Sequence, residues 1–201
     1  MEKIAQEIDD LLFDLAMDAV TKNEIGDFLP LAYKFSDPDG IQTGKSGYSF
    51  GRVQFDIENN WIAIECLRAC GFRPKDLDRL FEQRGDISDL DRKLSDKSNI
   101  VDQYDRSHVE SSVHHCATVL GSSGVQLKDT ETMIHIIDYH NQFYLSRDGK
   151  MHNWLKGRAG EINSKDILYF KLHFTKWGES DHGELDIRRR WVNINNMFSR
   201  I

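Results

Sequence analysis

EIGDFLPLAYKFSDPDGIQTGKSGYSFGRVQFD, residues 24–56, is the stretch around which the rest of the chain is organised. It opens on Glu24 at the expected end of a long helix and passes through a Ser36-Asp37-Pro38-Asp39-Gly40 turn. A polar ribbon follows, carrying Thr43, Gly44, Gly47 and Gly51, and the stretch closes on Gln54 and Asp56. A polar loop of this length inside a compact domain is uncommon unless it carries function. Its glycine spacing and partial alternation over 41–55 predict a short hairpin or small sheet.

On either side the chain reads as amphipathic helix. Ile4, Ile8, Leu11, Leu12, Leu15, Ala16 and Ala19 share one stripe over 2–22, and Asn23 and Gly26 are stop signals. Asp56 is expected to cap a helix that ends at Gly71, and Pro74 to open another that stops at Gly85. Further helices are expected over 99–120, from Asp129 or Thr130 onward, around 151–155, over 165–176 with Ser164 as its cap, and near 183–199. In the 99–120 helix the apolar stripe is read as Ile100, Tyr104, Val109, Val113, Ala117 and Leu120. The fold class that follows is α+β and mostly α-helical, a single domain over 1–201 with an active-site region at 24–56 and a helical lobe at 57–201.

Composition narrows the function. The 201 residues are 39% hydrophobic with three prolines, which argues against disorder. A net charge of −7 argues against a general nucleic-acid binder. No apolar run reaches the roughly 20 residues of a membrane span, and residues 1–22 lack the basic and apolar regions of a secretory signal. The expectation is a protein synthesised in the cytoplasm. Cys66 and Cys70 fall one helical turn apart and read, with Cys116, as buried thiols rather than a disulfide set. No metal is expected, since the adjacent His114, His115 and Cys116 diverge around a helix.

Glycosidic cleavage needs one carboxylic acid to protonate the leaving oxygen and a second carboxylate on the opposite side of the sugar. Glu24, near Leu29, Leu31 and Phe35, is the candidate acid if those apolar neighbours desolvate it. Asp37 or Asp39 in the polar turn is the candidate base, and the Thr43 hydroxyl could orient water. The same residues also fit ordinary surface turns.

Asp37, Gly40, Thr43, Gly47 and Tyr48, read as D-x-x-G-x-x-T-x-x-x-G-Y, resemble the active-site hairpin of phage-type lysozymes (endolysins, muramidases). The family spacing would put its glutamate at Phe28, so Glu24 as the acid requires a longer loop, and Asp27 is the backup. Leu127-Lys128-Asp129-Thr130-Glu131 is similar to the start of that family's central helix, His140-Asn141 to its aromatic-Asn pair, and Gly183–Arg190 to its G-L-x-x-R-R signature. The resemblance implies a lysozyme-like fold and hydrolysis of the bond between N-acetylmuramic acid and N-acetylglucosamine in bacterial peptidoglycan. It implies Glu24 as acid, Asp37 as base and Thr43 as the water-orienting hydroxyl, with Tyr48 beside the substrate and no cofactor. An immunity protein, a holin or secretion machinery would be the partners, and the wall or periplasm the place of action after release or injection.

Residues 48–56, YSFGRVQFD, are also similar to the G-F-G-L-M-Q-V-D segment of goose-type lysozymes and lytic transglycosylases. There Glu24 stays the acid, Gln54 and Asp56 line the sugar site, and Asp37 loses its role. The competing class is a lysozyme-like interaction module without catalysis. Trp154, Trp177 and Trp191 are read as core, and Arg188-Arg189-Arg190 as a solvated or salt-bridged face.

Overall fold

The computed structural model describes residues 2–37, 46–158 and 160–199. The chain is mostly helical, with four two-residue strands among the described residues. It divides into two compact units, one of residues 24–108 and one of residues up to 23 together with those from 109 onward.

The boundary falls at the end of helix α1 (Glu2–Glu24) and inside helix α5 (Ser98–Ser123). In the 24–108 unit a 3-10 turn at Leu29–Tyr33 leads to an antiparallel pair, β1 (Ser49–Phe50) with β2 (Phe55–Asp56). Ser36 adds a third rung by exchanging backbone hydrogen bonds with Ser49 at 2.8 and 2.7 Å. Then come α2 (Trp61–Ala69), α3 (Pro74–Glu82) and α4 (Ser88–Ser95). The core is aromatic: Phe35 meets Phe50 at 5.7 Å and Phe72 at 5.9 Å, and Phe50 meets Phe55 at 5.7 Å. Edge-to-face contacts of this kind add to the burial of the rings themselves. The Cys66 and Cys70 thiols are free and buried, as their helical spacing implies.

Local chemistry corrects two helix starts. Asp56 does not cap α2; Asn60 does, its side chain accepting from the Ile62 N–H at 3.0 Å. Asp56 instead holds the preceding turn, accepting from the Glu58 N–H at 2.8 Å and the Asn59 amide at 2.8 Å. Likewise Asn163, not Ser164, caps α8 (Ser164–Phe174), and the Asp166 carboxylate returns the bond to the Asn163 N–H.

In the second unit α5 runs on through Ser123 and stops at Gly124, whose φ of +73° is the left-handed turn that glycine supplies. A parallel pair joins β3 (Gln126–Leu127) to β4 (Glu161–Ile162), with α6 (Thr130–Phe143) and α7 (Lys150–Lys156) between them in the chain. Helix α6 is buried on every face from Thr132 to His140 and packs against α8 and α9 (Asp181–Phe198). A helix apolar all round belongs in a core, and the polar residues this one carries need internal partners.

Candidate functional site

Glu24 sits half-buried in the last turn of α1, with Gly26 at φ +70° turning the chain away. Leu29 and Leu31 do little to shield that stretch, since they are 42% and 43% exposed. Asp27 is exposed. Thr43 and Asp39 lie outside the described residues.

The Ser36–Ser49–Asp56 rungs gather the remaining candidates. Asp37 follows the first rung, Tyr48 precedes the second, and the Tyr48 carbonyl accepts from the Ile57 N–H at 3.0 Å. Burial pushes the Tyr48 phenol above its ordinary range, and the Asp37 carboxylate adds to the shift, followed by Asp91. Asp37 and Tyr48 are thus electrostatic neighbours. Gln54 and Asp56 are engaged within the ladder instead. The Gln54 amide donates to the Gly51 carbonyl at 3.0 Å and accepts from the Ser36 hydroxyl at 2.8 Å. Asp56 accepts from the Gly47 N–H at 3.0 Å besides its two turn contacts.

Beneath this ladder lies a carboxylate that the sequence reading passed over. Asp105 of α5 is fully buried and accepts from the backbone N–H groups of Arg52 at 2.9 Å and Val53 at 3.3 Å. Desolvation pushes its pKa up to about 7 against the lowering effect of those two donors. Gly51 stands at φ +81°, and a Cβ there would meet the Asp105 carboxylate at 2.7 Å. The signal was available: the buried stripe of α5 starts Val101, Asp105, Val109, one position from the expected Ile100 and Tyr104. Tyr33 reaches the same helix, donating to Asp102 at 2.8 Å; burial and then that bond push it up to about 12.

In the second unit a buried polar cluster centres on Asp138, 1% exposed. Its carboxylate accepts from Lys171 Nζ at 2.8 Å, Arg190 Nη1 at 2.9 Å and the Asn23 amide at 2.9 Å. Burial opposes its ionisation most strongly, yet the two cations and the hydrogen bonds prevail and hold it below the usual carboxylate range. Arg190 is therefore no part of a solvated face. Arg188, paired with Glu184 at 2.7 Å, and Arg189, paired with Asp186 at 2.6 Å, are the exposed members of the run.

One constellation imitates a serine hydrolase. Ser122 Oγ lies 2.9 Å from His152 Nε2, and His152 Nδ1 lies 3.6 Å from the Asp148 carboxylate. Triad chemistry needs Nδ1–H to donate to the carboxylate and Nε2 to accept the hydroxyl proton. Here the Asp148 backbone N–H donates to Nδ1 at 2.8 Å, which puts the proton on Nε2. Ser122 in turn donates to the Val119 carbonyl at 2.7 Å. The serine is not activated. A fluorophosphonate probe will leave the protein unlabelled at Ser122, as intact-mass spectrometry will show; a stoichiometric adduct there would refute the tautomer assignment.

No family, curated protein or solved structure matches the chain. What the site can do therefore rests on its own chemistry. The ladder offers the Asp37 carboxylate with Tyr48 beside it, and the Glu24 carboxyl stands apart at the end of α1. Among the described residues no group of three histidine, cysteine or acidic side chains is placed to hold a metal.

Proposed function

We propose that the chain is a peptidoglycan hydrolase of the lysozyme-like kind, cleaving between N-acetylmuramic acid and N-acetylglucosamine with Glu24 as acid. The observation that carries this reading is the sequence of elements at 24–56. A glutamate ends a helix, and a small antiparallel ladder follows that sets Asp37 against Tyr48. In the proposed reaction the Glu24 carboxyl gives its proton to the glycosidic oxygen as the bond to the anomeric carbon breaks. Asp37 takes a proton from the attacking water or stabilises the positive charge that develops on the ring. Thr43 is the proposed hydroxyl that orients that water. Tyr48 offers an aromatic edge and a phenol donor to the sugar.

The internal engagement of Gln54 and Asp56 favours this assignment over the transglycosylase-like one. A side chain already holding two or three partners has less capacity to bind a sugar hydroxyl. Both residues are therefore proposed to shape the site rather than touch substrate.

The test is release of soluble fragments from purified peptidoglycan by the wild type, Glu24→Gln and Asp37→Asn, with products weighed by mass spectrometry. Each substitution is expected to lower the rate by about 100-fold or more, the usual worth of a general acid or base. The products should be reducing muropeptides. Anhydromuropeptides lost with Glu24→Gln alone would move the assignment to transglycosylase chemistry, and no release from several wall types would leave the interaction module as the better account.

A further inference from the structure

A pocket of about 420 Å³ opens in the second unit where the end of α6 meets the chain following α8. That volume lies in the range of small-molecule sites. Its most informative residue is Tyr139. This side chain is only 6% exposed and lines the pocket, yet its hydroxyl makes no hydrogen bond among the described residues. Buried hydroxyls are ordinarily satisfied, so an open donor at a pocket wall marks a position for a ligand or water.

Three more aromatic side chains, Phe143, Tyr144 and Trp177, line the pocket with it. Phe143 packs on Tyr139 at 5.3 Å. Tyr144 is held at φ +57°, a backbone state that non-glycine residues rarely adopt, with its ring against His140 at 5.0 Å. Trp177 is fixed through its indole N–H, which donates to Asp186 at 3.3 Å. Its backbone carbonyl abuts Gly183 so closely that a Cβ there has no room. At the rim Lys150 and Lys176 are exposed and make no ion pair among the described residues.

We propose that this pocket binds a small ring-bearing anion, its ring against Trp177 and Tyr144, its carboxylate or phosphate between Lys150 and Lys176, and one acceptor atom on the Tyr139 hydroxyl. The flat walls supply stacking, which sugars, nucleobases and aromatic rings all satisfy. The two ammonium groups supply the sign of the charge. The assignment is independent of the proposed hydrolase activity, since it uses none of the residues at 24–56.

Binding is read by ¹⁵N NMR on the full chain, where the four tryptophans give four indole N–H signals; a Trp177→Phe sample assigns the one that matters. The probes are N-acetylmuramic acid, adenosine monophosphate and indole-3-acetate, each beside its uncharged counterpart (N-acetylglucosamine, adenosine and indole). The expected result is a saturable shift of the Trp177 signal with at least one charged probe, and its identity separates sugar acid from nucleotide from aromatic acid. The uncharged counterpart should bind about tenfold more weakly, the worth of one charge-assisted hydrogen bond. Lys150→Ala with Lys176→Ala should weaken binding by at least that factor. Tyr139→Phe should weaken it severalfold while leaving the fold intact, because that hydroxyl has no protein partner to lose. No saturable shift at millimolar probe, or binding indifferent to the lysine pair, would overturn the proposal.

Discussion

Asp138→Ala will destabilise the second unit by about 3–5 kcal/mol, the cost of stranding a charge in a buried pair. Lys171 is 3% exposed and Arg190 6% exposed, and both point at the carboxylate that the substitution deletes. Arg190 keeps Asp186 at 3.1 Å, so Lys171 bears most of the loss and must either draw in water or give up its proton. Urea unfolding followed by circular dichroism measures the loss. Asp138→Asn is expected to recover little, because the amide keeps the shape and one acceptor but not the charge. Replacing Asp138, Lys171 and Arg190 together by Leu, Met and Met should recover most of the stability, since a buried ion cluster is commonly neutral against an apolar one of similar volume. A single-site cost below about 1 kcal/mol would mean the cluster is hydrated, contrary to its burial.

Between pH 4 and 6.5 the two units will respond to acid in opposite directions. Asp105 binds its proton more tightly when folded, near pH 7, than in the unfolded chain, where a carboxylate titrates near 3.9. Its contribution is fully present below the unfolded value and is lost as pH rises toward 7, a swing on the order of 3–4 kcal/mol. His135 runs the other way. Burial lowers its pKa to about 4 from the usual 6.5, so the unfolded chain takes up the proton first and stability falls as pH drops through that window. Asp138, held below the usual carboxylate range, extends the acid loss to lower pH. Hydrogen exchange resolved by residue is the suitable measurement. Protection of α2 and the ladder should rise from pH 7 to 4.5 while that of α6 falls, after correction for intrinsic exchange. Asp105→Asn should flatten the first trend and leave the second. Parallel trends in both units would refute the assignment of Asp105.

Most helices were legible in the sequence because the 3.6-residue pattern over α1, α3 and α5 spans several turns with glycine or proline at the ends. The small β region at 49–56 was legible from its glycines. The pair β3 and β4 was not, since two residues carry no alternation to read. The caps went astray where several competent side chains lie close together: Asp56, Asn59 and Asn60 can all accept from a free N–H, and only the packed chain decides which does. Trp177 was read as core because it was taken to occupy a helical apolar position, but α8 ends at Phe174 and Trp177 lines a pocket. The buried carboxylates were missed for a deeper reason. An aspartate on an apolar stripe is explained only by its partners, and those of Asp138 lie 33, 52 and 115 residues away along the chain. At the proposed catalytic loop the sequence offered Glu24, Asp37 and Tyr48, and the ladder brings the last two into electrostatic contact.

One unit is built from two separated stretches of the chain, residues up to 23 and those from 109 onward, and this sets an order for synthesis. A ribosome completes residues 24–108 before any of the later helices exists, so that stretch can acquire its aromatic core first. Asn23, by contrast, waits for Asp138, and then for Arg189 and Asn193, which lie 166 and 170 residues further along the chain. Throughout that interval Ala16, Met17, Ala19 and Val20, which the folded unit buries, travel uncovered, whereas Leu11 of the expected stripe stays 60% exposed even in the folded chain.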